Sequence, residues 1–519
     1  MKHRLAVPAV LVGVCLTLGA LAAPAPAAKG GAQGKQAKTR VFEACKHGCR
    51  YRTIQRAVDA AGSFKAKKGN AKVKVKVAVR PGKYREAVVL DGTARRKRFD
   101  GLVIEGTKKN RRKVVLEGKN AKGELGAAQN GIEAISVDGL VIRNMWARNY
   151  QANGFFIHAS GGGGRYGGGG GQHCDGYTMA NLLASGNRYY GLFAKNCLGG
   201  KMVNSTAFRH GDAGFYVGET PCDKRSWTNH GIAPPPAPCQ RKPRWTLLKN
   251  LRSYENVLGY SGTNSKYVKI VESAFFNNGA GIVPNTLDSE GFEPNGWNLI
   301  ARNDVFWNNY NYFLANSAFR TVSPGLGQLG GATVNYPTGV GIVIYGGAGN
   351  VVKRNNVFGN YKWGVASFSG PGEVFVANQG DDAKNINNQY IENTIGREGA
   401  DPNGEYDFWN DNTGGGNCWS GNSAGATFAP GNGKVPLSRI YPICPQPDVL
   451  ADQVKSLDLE AGLQVDFAEQ SNPSTILGYA TSNPPQNQQC SWVRRVATHP
   501  PFQKFQPVEV APLPGELSC

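Results

Sequence analysis

Short apolar runs separated by polar turns recur through the middle of the chain, between about residues 131 and 396. A glycine opens each run: Gly154-Phe-Phe-Ile-His, Gly191-Leu-Phe-Ala-Lys, Gly214-Phe-Tyr-Val-Gly, Gly259-Tyr-Ser-Gly-Thr, Gly281-Ile-Val-Pro-Asn, Gly341-Ile-Val-Ile-Tyr and Gly364-Val-Ala-Ser-Phe. The steps between these glycines are 37, 23, 45, 22, 60 and 23 residues. Three equal one period of about 22 residues, and the 45 reads as two periods. The 37 and the 60 require insertions, one at the glycine-rich 161–171 and another around 323–337. Before the glycines a second signature recurs, as Asn144-x4-Asn149, Asn181-x5-Asn187, Asn250-x5-Asn256, Asn303-x4-Asn308 and Asn355-x4-Asn360. Asparagine tolerates left-handed backbone and its amide bonds neighbouring main chain. Stacked once per period, such residues predict ladders of turns. Strands this short, with a fixed period, fit a solenoid whose turns pair in parallel at roughly 4.8 Å.

Side chains alternate between the two faces of a strand. Counted from each glycine, positions one and three are apolar: Phe155/Ile157, Leu192/Ala194, Phe215/Val217 and Ile282/Pro284. They are expected to fill the interior. Positions two and four then face solvent and give Phe156/His158, Phe193/Lys195, Tyr216/Gly218, Ser261/Thr263 and Val283/Asn285. Three neighbouring turns would thus expose an aromatic stripe, Phe156-Phe193-Tyr216, beside His158 and Lys195. Position five adds Asn196, Glu219, Asn264 and Thr286. Cys174 and Cys197 are 23 residues apart, so they are placed to bridge adjacent turns.

Upstream, Tyr51-Arg-Thr-Ile-Gln-Arg-Ala-Val-Asp-Ala-Ala puts Ile54, Ala57, Val58 and Ala61 on one helical face. Val-Lys-Val-Ala-Val-Arg-Pro-Gly-Lys-Tyr84 and Leu102-Val-Ile-Glu-Gly follow as strands. Over residues 50–420 the chain resembles the right-handed parallel β-helix proteins of the pectate lyase-like superfamily, which includes pectate lyases, polygalacturonases and mannuronan C5-epimerases. The resemblance implies an all-β solenoid capped by the N-terminal helix, with an active face on one exposed sheet. The epimerases' Asp-Pro-His-Asp motif does not occur, and no pectate-lyase aspartate cluster is matched. After about 420 the period stops. Residues 421–519, with one helical candidate at 449–463, are expected to be an irregular tail pinned by cysteines.

The ends and the charge add a location and a partner class. Lys2, His3 and Arg4 precede an apolar stretch at 5–23, and Ala25-Pro26-Ala27 reads as a cleavage site. Residues 1–27 are therefore expected to be a signal peptide and the mature chain to be extracellular. No later apolar run spans a bilayer. Removing Cys15 leaves ten cysteines, an even number suited to an oxidising compartment. Cys45 and Cys49, and Cys222 and Cys239, suggest local loops, while Cys418, Cys444, Cys490 and Cys519 serve the tail. Composition, at 40% hydrophobic and 10% aromatic residues, excludes a disordered chain, and 69 glycines without a three-residue period exclude collagen. Residues 29–120, which include a basic segment at 28–49, hold 27 Lys/Arg and 7 Asp/Glu. That excess of 20 equals the whole mature excess, so the remainder is neutral. Such a field attracts an acidic polysaccharide or cell-wall polyanion, and admits nonspecific nucleic acid. Nothing in the pattern demands an oligomer, and a monomer is expected.

Phosphate loops and HExxH zinc motifs are absent from the sequence. Polysaccharide chemistry leaves three readings. In the first, His158 or Lys195 abstracts the proton α to a uronate carboxylate, with Glu219 orienting the sugar. The aromatic row Phe156, Phe193 and Tyr216, with Asn196, Asn264 and Asn285, would bind it. β-Elimination and C5-epimerisation share that step. It requires a lysine of lowered pKa, and Lys/Arg or Ca²⁺ to neutralise the carboxylate. In the second, Asp212, in His210-Gly-Asp-Ala-Gly, joins Glu219 or Asp175 as a carboxylate pair for glycoside hydrolysis; the alternative for Asp212 is a turn cap. In the third, the protein binds a polyanion without catalysis. Asp288, Glu290 and Glu293 are spaced for cation binding on a loop, and Asp401, Asp407 and Asp411 form a weaker acidic group.

Overall fold

The computed structural model describes residues 39–93, 98–159, 173–221, 241–287, 290–310, 339–360, 363–368, 384–396, 403, 406–410, 414–424 and 443–445. The expected signal peptide, the glycine-rich insertion, the helical candidate at 449–463 and Cys222, Cys239, Cys490 and Cys519 lie outside the described residues.

Each turn of the chain contributes one short strand to each of three long sheets, here A, B and C, of 12, 11 and 10 strands. Every pairing between their strands is parallel, and sequence neighbours along a sheet are successive turns. The architecture is a right-handed parallel β-helix, the hand that parallel crossovers adopt. One spacing corrects the sequence reading. Phe215 pairs directly with Tyr260, so the 45-residue step is a single turn carrying an excursion, not two turns. Arg40–Ala44, within the basic N-terminal segment, pairs with Val75–Val79 as the first strand of sheet A.

The interior follows from alternation. Phe155, Ile157, Leu192, Ala194, Phe215 and Val217 are all at most 1% exposed. The glycine column is steric in origin: a Cβ on Gly154 would sit 2.7 Å from the Gly191 carbonyl oxygen and 2.8 Å from Asn187 Nδ2. Only glycine lets the next turn come that close.

The asparagine ladders are present and buried. At the corner between sheets B and C, Asn187, His210, Asn256, Asn278, Asn308, Asn360 and Asn403 form one file. Each main-chain N–H donates to the side chain one turn on, at 3.0–3.2 Å. Between A and B, Ser273, Asn303, Asn355, Asn393 and Asn422 do the same at 2.9–3.1 Å. Other asparagines of the signature, Asn144, Asn149, Asn181 and Asn250, take left-handed φ between 51° and 62°.

The N-terminal opening is closed by helix α1, Ile54–Lys65, whose Ile54, Ala57, Val58 and Ala61 are buried. Thr53 Oγ1 caps it by accepting from Arg56 N–H at 3.2 Å. The Glu86 carboxylate accepts from the Ile54 and Gln55 N–H groups at 2.9 and 3.0 Å. Disulfides join Cys45–Cys49, Cys174–Cys197 and Cys418–Cys444. Cys174 and Cys197 pair in register on adjacent turns, as their spacing requires.

Candidate functional site

The outer face of sheet C gathers the sequence candidates. Register places Phe156 beside Phe193 and Phe193 beside Tyr216, and sets His158 next to Lys195. The rings form one row: Phe156 stacks on Phe193 at 4.3 Å, and Phe193 meets Tyr216 edge-on at 4.6 Å. The row is contiguous but not exposed, which corrects the sequence reading. Phe193 is 8% and Tyr216 4% exposed, and only Phe156 stays half-buried. Tyr190, from the turn before the strand Leu192–Lys195, lays its ring against both, at 4.6 and 4.8 Å.

Beside this row lies a charged cluster. Lys195 Nζ is 3.2 Å from Glu219 Oε1 and 3.6 Å from Glu290 Oε2. Burial works to lower the Lys195 pKa, yet the Glu290 and Glu219 carboxylates outweigh it and hold it above its ordinary value. Lys195 is thus kept cationic, the reverse of what a lysine base needs. Glu219 is 2% exposed. Burial pushes its carboxyl up to about 7, with Lys195 opposing the rise and Glu290 adding to it. Glu219 Oε1 also accepts from Gly291 N–H at 3.3 Å. Its Oε2, equally buried, has no hydrogen-bond partner among the described residues. Asp212 is half-buried, and burial lifts its carboxyl to about 7 while the Tyr190 hydroxyl donates to it. Glu290 acts electrostatically on Lys195, Glu219 and Asp212 alike, so three carboxyls and one ammonium share one field.

Asn264 holds Glu290 in place. Its Nδ2 donates to the Leu287 and Glu290 carbonyl oxygens at 2.8 and 3.1 Å, and its Oδ1 accepts from Leu287 N–H at 3.0 Å. Asn196, Asn264 and Asn285 are at most 1% exposed. Asn196 bonds His173, and Asn285 donates to Ser261 Oγ and the Val283 carbonyl oxygen at 3.3 Å. These amides bond protein instead of facing solvent, because the later turns of the sheet are covered on their outer side.

His158 sits one turn away from Glu133. Its Nε2 lies 3.0 Å from Glu133 Oε1, its Nδ1 lies 3.2 Å from the Ala159 carbonyl oxygen, and its ring stacks on Phe156 at 4.1 Å. Glu133 is oriented by Asn130 Nδ2 at 3.0 Å, and its bond to His158 draws its pKa below the usual carboxylate range. Both ring nitrogens of His158 thus lie against protein oxygens, those of Glu133 and Ala159. His210 belongs to the corner ladder: Nδ1 accepts from Asn187 N–H, and burial pushes its pKa down to about 3. Asp175 pairs with Arg244, not with Asp212. Asp407 is buried and accepts from Asn403 Nδ2 at 3.0 Å; Asp288, Asp401 and Asp411 lie outside the described residues. Among the described residues no three His, Cys, Asp or Glu side chains converge as a metal site.

Three members of the site were not among the sequence candidates for it. Glu133 had a signal: Gly131-Ile-Glu-Ala-Ile repeats the glycine-strand pattern 23 residues before Gly154. Tyr190 immediately precedes the column glycine Gly191, a position to which the pattern gives no face. Glu290 reads as a loop acid, and its approach to Lys195 depends on an insertion outside the period.

No family model matches the sequence, and no curated protein matches it. Among solved structures the chain is similar to a mannuronan C-5 epimerase A-module from Azotobacter vinelandii, at 13% identity over 72% of this chain and 90% of that one, with a TM-score of 0.44. It is also similar to an endo-xylogalacturonan hydrolase from Aspergillus tubingensis, at 11% identity, 76% and 96% coverage and a TM-score of 0.43. An alginate lyase from Paenibacillus sp. matches at 10% identity, 72% and 98% coverage and a TM-score of 0.29. The fold of this chain stands on its own sheet register.

Proposed function

We propose that this chain is a polysaccharide-active enzyme that cleaves glycosidic bonds by hydrolysis at the outer face of sheet C. Glu219 would be the proton donor and a neighbouring carboxylate the base. The supporting observation is Glu219 itself, buried, with one oxygen beside Lys195 and the other without a partner among the described residues. A carboxyl that keeps its proton to about pH 7 suits a general acid. Asp212, lifted by burial, and Glu290, which stays part-exposed, are the candidates for its partner. Phe156 and the edge of the aromatic row supply an apolar platform for a sugar ring.

Elimination or epimerisation of a uronate is the second reading. Lys195, held cationic, favours it because an ammonium can neutralise a substrate carboxylate. The Glu290 carboxylate beside that ammonium weighs against it, since it repels an anionic sugar. Action outside the cytoplasm is part of the proposal and is supported by the three disulfides.

A panel of neutral and acidic polysaccharides, assayed for new reducing ends and for unsaturated uronate absorbance, tests both readings. Hydrolysis yields reducing ends without that absorbance, and Glu219→Gln lowers the rate about a hundredfold or more. Reducing ends accompanied by the absorbance transfer the site to elimination. Neither signal on any polymer removes the catalytic reading.

A further inference from the structure

Sheet B carries a second outward aromatic row, and guanidinium groups surround its N-terminal end. Trp146 and Arg148 lie on the strand Trp146–Arg148. The Arg148 guanidinium is 4.3 Å and that of Arg112 5.8 Å from the Trp146 ring centre. Trp146 Nε1–H donates to Ser185 Oγ at 2.8 Å, which fixes the half-buried indole on the sheet. From the short helical turn Arg111–Lys113, Arg111 reaches across two later turns. It donates to the Leu182 and Asn204 carbonyl oxygens at 2.7 and 3.2 Å and to Thr206 Oγ1 at 2.8 Å. These acceptors are neutral, so they position the charge without cancelling it. Two turns beyond Trp146, half-buried Phe208 stacks on Tyr254 at 4.9 Å, flanked by Arg209 and Arg252. Among the described residues, six cations thus meet two carboxylates, and both carboxylates are already engaged: Glu117 with Arg148 at 2.7 Å and Glu255 with Arg209 at 2.5 Å. Arg112 and Lys113 are exposed.

We propose that this face of sheet B is an anchoring site for a carboxylated polysaccharide. Sugar C–H faces pack against Trp146 and Phe208, and sugar carboxylates pair with Arg112 and Lys113. Opposite charge and the part-exposed faces of these half-buried rings select a polymer that is both anionic and apolar-faced. The disulfides of the described residues point to an oxidising compartment, where an extracellular polymer can reach this face. The site is on a different sheet from Lys195 and Glu219 and is independent of how Glu219 is used.

Binding of the full chain to polygalacturonate, followed against salt concentration, tests the site. Arg112→Glu with Lys113→Glu should weaken binding about tenfold at low salt and flatten the salt dependence. The control pair Lys67→Glu with Lys68→Glu, exposed near the end of α1, should weaken it less. Trp146→Ala should cost about fivefold with the salt slope unchanged, and Trp146→Phe should restore most of the loss. Glu219→Gln should leave binding at this face intact, so the anchor and the catalytic reading fail separately. Equal losses from the two charge pairs, or no loss from Trp146→Ala, would overturn the site. Tighter binding of a single-stranded DNA oligonucleotide than of polygalacturonate would overturn the assigned ligand.

Discussion

His210 and Glu219 are both buried titratable residues standing in files of asparagine, and they behave in opposite ways. His210 replaces an asparagine between Asn187 and Asn256 and takes over its duties. Its ring accepts from one turn and its main-chain N–H donates to the next, at 3.2 and 3.0 Å. Glu219 follows its strand at the position held by Asn196 and Asn264 on the adjoining turns, with the same left-handed backbone at φ 46°. Asn264 there clamps the Glu290 loop, and Asn196 bonds His173. Glu219 instead turns one oxygen to Lys195 and leaves the other without a partner among the described residues. A polar residue that fits its file is explained by the file. One that does not needs an explanation outside it, and an unsatisfied buried carboxyl oxygen costs stability.

Placing asparagine at both positions should separate them. Glu219→Asn should lower turnover about a hundredfold or more while leaving the melting temperature unchanged or raised, since the residue suits left-handed backbone. His210→Asn should keep activity and alter only the acid limb of stability. The folded pKa of His210, about 3, lies below its ordinary value of 6.5. The unfolded chain therefore takes up the proton first. That stability is full above pH 6.5 and is lost as pH falls towards 3. Denaturant titration near pH 4 should find His210→Asn more stable by up to about 3 kcal/mol, with little difference at pH 7. Glu219 and Asp212, both raised to about 7, carry the opposite sign: their stability is present at low pH and lost as pH rises through neutrality.

Lys195→Met probes the pairing more gently. Without the ammonium, Glu219 and Glu290 face each other, so stability should drop by about 1–3 kcal/mol at pH 8 and by less at pH 5, where Glu219 is protonated. An equal drop at both values would mean that the pair is not electrostatically linked. The smallest effect is expected at the rim. Phe156→Ala, half-buried, should shift stability by about 1 kcal/mol or less yet weaken polysaccharide binding measurably in a KM comparison.

The architecture was legible because it repeats. A glycine column, alternating apolar positions and paired asparagines each leave a mark every turn, and their sum predicts the parallel solenoid, the interior residues of one sheet and the Cys174–Cys197 bridge. The site was legible only where it lay in register. Phe156, Phe193, Tyr216, His158 and Lys195 came together because they share rows of one sheet. Their exposure was misjudged, because alternation gives the face a side chain takes but not what lies over it. Lys195 was misjudged electrostatically for a related reason: Glu290 arrives from an insertion, and no period announces its distance. The 45-residue step was misread because an excursion of 222–240 happens to be about as long as a turn.

A carbon-detected NMR titration of glutamate carboxyls, comparing the wild type with Glu219→Gln, measures the central claim directly. The account predicts one carboxyl with a midpoint of about 7 in the wild type that disappears in the variant. A wild-type spectrum in which every glutamate titrates below about pH 5, as unperturbed carboxyls do, would contradict it.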